Sequence, residues 1–433
     1  MLLIYTPKIT PRVEYSFKHI CKRILDIEIR LTNDENDFMS YEGAKISYGK
    51  KPLDDEVFFQ SDGLLNQQGI ETVEIIVKPW EETFCFFSVS QISSLPFDIF
   101  SASFYMLSRY EEYLPHVKDE KGRFTAVESL AHKEGFLMQP VVDIWAYKFR
   151  NVLLAHFPEL LLETKPKEMF ITSLIEASEP FIYAQKGIFR TIVGVLSDLL
   201  NGKFRKIFTR AKVILRLKRD PYDTFKWIVN TLKHSNFKVI VFFMLGEATA
   251  INKSMNFHRK KLKLLIKYIN DYTETGLIFS FKSLKNPELL KKEKEHLESI
   301  THRAVQSSIN ADLLVNLPEI YRQLIELEVR NDYTMVFSDM PGFRAGTCTP
   351  FLFYDLDYEV KTPLLLHPVA AHTQMFSAAK YSNSKERTVN ELLKAVASVN
   401  GHFLMIFSNK DFSSDSQSQI WKKIFSEKLN SYN

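Results

Sequence analysis

Cysteine, glycine and long apolar runs are all scarce in this chain of 433 residues, and each scarcity excludes something. Only three cysteines occur, Cys21, Cys85 and Cys348, and no two form a CxxC pair. An odd count so spaced supports neither a disulfide framework nor a structural zinc knuckle, and it fits a reducing compartment. Glycine occurs 14 times, where average usage of about 7% would give roughly 30. Neither GxGxxG nor GxxxxGK[ST] occurs, so nucleotide-binding readings start weak. The longest apolar stretch, Val239 to Leu245, has seven residues, far short of the roughly 20 that cross a bilayer. Charge of one sign is also lacking. Lys and Arg number 56 against 52 Asp and Glu, too even a balance to imply nucleic acid. Met1 to Arg12 does not read as a signal peptide, because Pro7 and Lys8 interrupt its apolar residues. The expected location is the cytoplasm.

What is present is an ordinary globular composition, 45% hydrophobic and 25% charged, with an unusual 35 Phe. The length predicts two or three domains with a normal core. Residues 1–165 read as one α+β domain. Strand-like runs at Leu2–Tyr5, Ile27–Leu31, Val73–Val77 and Phe84–Phe87 give way to helical spacing from Asp98 and through Val141–Leu154. Glu163–Lys167 reads as a linker. Residues 166–433 alternate short apolar strands with amphipathic helices. Strands are expected at Lys238–Leu245, Gly276–Phe281, Val305–Ile309, Thr334–Phe337, Pro363–Leu366 and Phe403–Phe407. Helices are expected from Asp220-Pro221 to Leu232, over Arg259–Asp271, from Asn286-Pro287 to Leu297, and over Pro318–Leu327, Glu386–Val399 and Ile420–Leu429. This alternation predicts a parallel sheet or a (β/α) barrel, with chemistry at the C-terminal strand ends.

Few motifs carry chemistry. No HExxH and no GxSxG elbow occurs, and His367 and His372 are not spaced as a helical ligand pair. Cys348 reads as a packed small residue. Lys203–Arg219 holds eight Lys or Arg and no acid, interleaved with Phe204, Ile207, Phe208, Val213, Ile214 and Leu217. A basic amphipathic helix of this kind is a solvated face, or it meets a membrane surface, an anionic polymer or a partner. The densest loop is Pro341–Phe351, where two glycines and two prolines surround Arg344. A loop so constrained after a strand reads as functional.

That loop, with Tyr354-Asp355-Leu356, Thr362-Pro363 and His367-Pro368, resembles a family of bacterial polysaccharide deacetylase-like proteins, relatives of the NodB-homology carbohydrate esterases. Leu95-Pro96-Phe97-Asp98, Ser108–Tyr113 and Gly135-Phe136-Leu137 resemble its accessory domain. Lys186-Gly187, Asp220–Phe225 and Pro287–Glu293 extend the match over nearly the whole chain. The resemblance implies an irregular (β/α) barrel of NodB-homology type after an N-terminal α+β accessory domain. It also implies a metal-dependent hydrolase that removes N-acetyl groups from sugars. In that chemistry a divalent metal polarises water and the acetyl carbonyl, a carboxylate acts as base and a His as acid.

Carried onto this chain, the family's site is degenerate. The Asp-x-Asp motif falls at Glu176-Ala177-Ser178, which keeps a carboxylate at the base position and places Ser178 where a metal-ligating Asp stands. The Gly-Leu-His-Pro-Ser motif becomes Gly276–Ser280, with Ile278 in place of His. The Arg-x-His segment becomes Ile309-Asn310-Ala311. Met-Asp-Gly becomes His372-Thr373-Gln374, and the acid His of the last strand becomes Ser408. Ile and Ala cannot coordinate a metal.

Three readings follow. The first is an inactive homologue that binds a glycan, a sugar precursor or a protein of surface-polysaccharide synthesis, with no cofactor and no nucleic acid. Its glycan contacts are expected at Phe343, Arg344, Tyr354 and His367, because aromatic faces suit sugar C–H surfaces and Arg holds hydroxyl or acidic groups. The second is an active N-deacetylase with a displaced zinc-type site drawn from Glu176, Arg344, His367, His372 and Asp339. The third is a membrane-surface or scaffold protein acting through Lys203–Arg219.

Overall fold

A computed structural model describes residues 1–161, 168–184, 188–235, 237–246, 260–378, 381, 384–414 and 418–432. The expected linker Glu163–Lys167, the Lys186-Gly187 pair and Arg259 lie outside the described residues. The chain forms two compact units. The first comprises Met1–Phe170, Leu313–Ala371 and Arg387–Phe403; the second comprises Ile171–Asp312, His372–Glu386 and Leu404–Asn433. This division differs from a single cut near residue 165, because two later stretches fold with the N-terminal part.

The first unit opens on β1 (Leu2–Tyr5), β2 (Ile29–Thr32), β3 (Lys45–Gly49) and β4 (Val57–Gln60), a sheet of order β2-β1-β3-β4. All three pairings are parallel. Parallel neighbours are usually joined by helical crossovers. The first is Pro11–Phe17, continued as a π-helix over Lys18–Ile24. Thr10 caps it through Oγ1, which accepts from Val13 N at 3.1 Å, and Pro11 sits at the first helical position, as the chemistry of helix starts favours. Helix Ile99–Leu107 begins where Asp98 was expected to start it, and all its residues are buried. The abundant Phe residues fill this core, with Phe17 stacked on Phe100 at 3.8 Å and Phe149 edge-on to both Phe59 and Phe100. A short antiparallel hairpin, β5 (Lys78–Trp80) and β6 (Thr83–Cys85), lies between β4 and helix Ile99–Leu107. Val73–Val77 forms no strand.

In the second unit β7 (Phe170–Ala177), β8 (Lys238–Met244), β9 (Glu274–Phe279) and β10 (Ser307–Asn310) lie in the order β10-β9-β8-β7, all parallel. Helix Lys260–Asn270 follows β8, and Pro287–Thr301, capped by Asn286, follows β9. β8 is buried over six of its seven residues, as its unbroken apolar run requires of a strand covered on both faces. The helix expected from Asp220-Pro221 starts later, at Phe225. The Asp220 carboxylate instead accepts from the backbone N–H groups of Ile182, Tyr183 and Ala184 at 2.8–2.9 Å.

The later part of the first unit carries β11 (Asn331–Asp332), β12 (Phe351–Asp355) and β13 (Val360–Leu366), in the order β12-β13-β11. β12 and β13 are antiparallel, and β11 pairs parallel to β13. Thr334–Phe337, expected as a strand, is not one; the ladder is made by Asn331–Asp332. β14 (Ala371–His372) neighbours β15 (His402–Ser408), which neighbours β7. The architecture is mixed α/β, with parallel strands alternating with helices as expected. No described helix is long and apolar enough to cross a membrane.

Candidate functional site

Strand pleating decides which of the predicted site residues meet. Register pairs Glu176 with Phe242, Phe242 with Gly276, and Ile278 with Ile309. Registered residues share a face, and so do residues two apart. Glu176, Phe242, Gly276, Ile278 and Ile309 therefore stand on one face of the second unit's sheet. A Cβ on Gly276 would lie 2.3 Å from the Phe242 ring. That ring thus occupies the space beside Ile278. Ile278, Ile309 and Ala311 are all buried, so these three expected site positions are apolar wall.

At the end of β7, Glu176 meets His372, whose Nε2 lies 3.3 Å from Oε2. The Ser178 hydroxyl also favours the ionised form of Glu176. Burial pushes this carboxyl up, but His372 and Ser178 outweigh it and hold the group below the usual range. Next to His372, Thr373 Oγ1 donates to Asp411 Oδ2 at 2.5 Å, and the Ser408 N–H donates to the same oxygen at 2.7 Å. Burial leaves the Asp411 carboxyl raised, despite Thr373, Ser408, His372 and Lys410. The structure thus gathers Glu176, Ser178, His372, Thr373 and Ser408. It adds Asp411, which the sequence reading missed. A signal was there: Ser408 and Asp411 have the S-x-x-D spacing of a capping box, and the structure forms one. Among the described residues no group of three or more His, Cys, Asp or Glu is placed to hold a metal ion.

Ser280, the last residue of the Gly276–Ser280 segment, is structural. Its N–H and hydroxyl donate to the buried Glu293 at 2.9 and 2.6 Å, and Ser283 Oγ adds a third bond at 2.9 Å.

The four expected glycan contacts require correction, because all lie inside the first unit. Phe343 is 1% exposed, Arg344 2%, Tyr354 0% and His367 8%. Arg344 makes a fork to Glu112, with Nε to Oε1 at 2.9 Å and Nη2 to Oε2 at 2.7 Å, and Nη1 donates to Val336 O. Arg109 holds the same carboxylate from the other side at 2.8 Å. Tyr354 donates to Glu359 at 2.9 Å and packs between Tyr15 and Phe104. His367 stacks on Tyr333 at 4.2 Å and bonds Asn331 at 3.0 Å. The Pro341–Phe351 loop is constrained because it is a staple. Asp143 accepts from Thr347 Oγ1, Cys348 N and Thr349 Oγ1 at 2.5–3.0 Å. Cys348 is fully buried, and burial with Asp143 nearby pushes its thiol well up, which makes it inert. Asp339 accepts a long bond from Ala126 N, at 3.4 Å.

The first unit does hold a cavity of about 270 Å³, lined by Tyr15, Lys18, His19, Lys22, Arg23, Leu352 and Lys361. Three of its cations come from the π-helix Lys18–Ile24. Its i→i+5 bonding brings residues four and five apart, Lys18, Lys22 and Arg23, to one side. Glu14 pairs with Lys18, and Glu28 pairs with Lys22 at 2.7 Å. Lys361 adds a fourth cation to the lining.

Residues 2–158 match Family of unknown function (DUF7033). The match ends before β7 and so stops short of Glu176. No curated protein matches the chain. Among solved structures, a Mycobacterium smegmatis protein named provisionally as a polysaccharide deacetylase is 11% identical with a TM-score of 0.37, covering 61% of this chain and 86% of that one. A 4-alpha-glucanotransferase from Thermococcus litoralis is 10% identical with a TM-score of 0.35, covering 61% of this chain and 37% of that one. At such scores neither likeness bears on activity or substrate.

Proposed function

We propose that this chain is a deacetylase-like protein with a silent reaction centre, built on the irregular (β/α) barrel plan, that holds an acidic glycan or sugar precursor without hydrolysing it. The observation that carries this reading is the remnant centre at the end of β7. Glu176 and His372 are engaged with each other, Asp411 is engaged by Thr373 and Ser408, and Phe242, Ile278 and Ile309 wall the face beside Glu176. A divalent metal does not fit this donor set. Metal sites need several ligands in fixed geometry, and the ligand positions carry Ser, Ile and Ala.

The ligand part of the reading rests on the basic cavity of the first unit. Its lining of Lys18, Lys22, Arg23 and Lys361 suits a carboxylate- or phosphate-bearing sugar.

Two measurements test this. The full chain, dialysed against zinc-supplemented buffer, is expected to retain no stoichiometric metal by elemental mass spectrometry and to release no acetate from N-acetylated oligosaccharides. One metal per chain together with acetate release would instead establish the active deacetylase. An N-acetylhexosamine 1-phosphate is expected to raise the melting temperature of the wild-type chain and not that of Arg23→Gln/Lys361→Gln.

A further inference from the structure

The two helices after β7 leave large apolar side chains in solvent. Helix Ile188–Leu200 exposes Ile192, Leu196, Leu199 and Leu200, and helix Phe204–Ile214 with the turn beyond it exposes Phe204, Phe208, Leu215 and Leu217, each more than half accessible. Their three- and four-residue steps form a stripe along each helix.

This pair is firmly built. Gly202, at φ +65°, turns the chain, and Lys203 N donates to Asp198 O at 2.8 Å. Arg210 crosses back to Asp198 at 2.6 Å and lies over the Tyr183 ring at 4.9 Å. It passes over Gly194, where a Cβ would meet Nη1 at 2.3 Å. Val213 is buried. Arg210 and Val213 thus mark the inward side, and the apolar stripe is not a product of loose ends.

Charge identifies the occupant. Lys203–Arg219 carries eight cations and no acid, interleaved with the exposed Phe and Leu residues. A second copy of the same face would set cations against cations. A nucleic acid would leave the apolar stripe in water. A surface with negative charge outside and hydrocarbon just beneath satisfies both sets. We propose that this helical pair docks the protein on an anionic lipid bilayer, lying in the plane of the headgroups. The inference is independent of the silent-centre reading.

The test is sedimentation of the full chain with vesicles of equal phosphatidylglycerol and phosphatidylcholine, against phosphatidylcholine alone. Co-pelleting is expected at least tenfold higher with the anionic vesicles at low salt, falling as added salt shortens the screening length. Phe208→Asp/Leu215→Asp and Lys206→Glu/Lys212→Glu are each expected to lower it at least tenfold while leaving the circular dichroism spectrum unchanged, because these side chains are exposed or half-exposed. The emission of Phe208→Trp is expected to shift to the blue with anionic vesicles. Absence of pelleting at low salt, equal pelleting of the variants, or an unshifted emission would each overturn the proposal. So would a wild-type dimer in analytical ultracentrifugation that Phe208→Asp/Leu215→Asp converts to a monomer.

Discussion

Arg344, Glu112 and Arg109 form a buried charged cluster in the first unit. One carboxylate is held between two guanidiniums, all of them buried. Removing one partner of a buried pair leaves an uncompensated charge and costs about 3–5 kcal/mol. Arg344→Ala is therefore expected to lower unfolding free energy by about that amount in a denaturant titration. Glu112 also sets a pH dependence. Burial pushes its carboxyl up, but Arg344 and Arg109 outweigh burial and bring it down to about 2. The folded state thus favours the ionised form. Its stabilisation is full above the ordinary carboxylate range and is lost as pH falls from about 4.5 toward 2. The stability gap between the wild-type chain and Glu112→Gln is expected to narrow over that window, by on the order of 3 kcal/mol. At the remnant centre, His372→Ala removes the main group holding Glu176 ionised, and carbon-13 NMR titration is expected to show the Glu176 carboxyl titrating at higher pH. None of the Arg344 partnership was legible locally, since Arg344 and Glu112 are 232 residues apart. The loop composition signalled constraint, and constraint reads alike for a binding loop and for a staple.

Elements were more legible than sites. β8 and β15 follow from unbroken apolar runs, because a strand covered on both faces has no polar alternation. The Asn286 cap was equally local, and Oδ1 accepts from the N–H of Glu288 at 3.1 Å. Asn286→Ala is expected to cost about 1 kcal/mol in thermal unfolding, as cap removal does. Gly276→Ala is expected to cost more, about 1–3 kcal/mol, since its Cβ would press on the Phe242 ring at 2.3 Å and on Ser307 O at 2.9 Å. The failures share one cause. Asp220-Pro221 has the composition of a helix start, yet its carboxylate serves three amides nearly forty residues earlier. Thr334–Phe337 has the composition of a strand, yet the ladder partner of β13 is Asn331–Asp332.

At the scale of the whole molecule, a near-even charge balance conceals two concentrations of cations, the cavity of the first unit and the helical pair of the second. The sequence by itself determined the α/β character, the order of most strands and helices, and the basic segment. These are properties of residue type and short-range periodicity, which need no distant partner. Only the tertiary structure decided that Phe343, Arg344, Tyr354 and His367 are interior. It alone joined Leu313–Ala371 to the N-terminal part, set Phe242 beside Ile278, brought Asp411 to Thr373, and left the stripe from Ile192 to Leu217 in solvent. Burial and pairing depend on which remote segments meet. Side chains of one composition become core, staple or docking face according to that meeting.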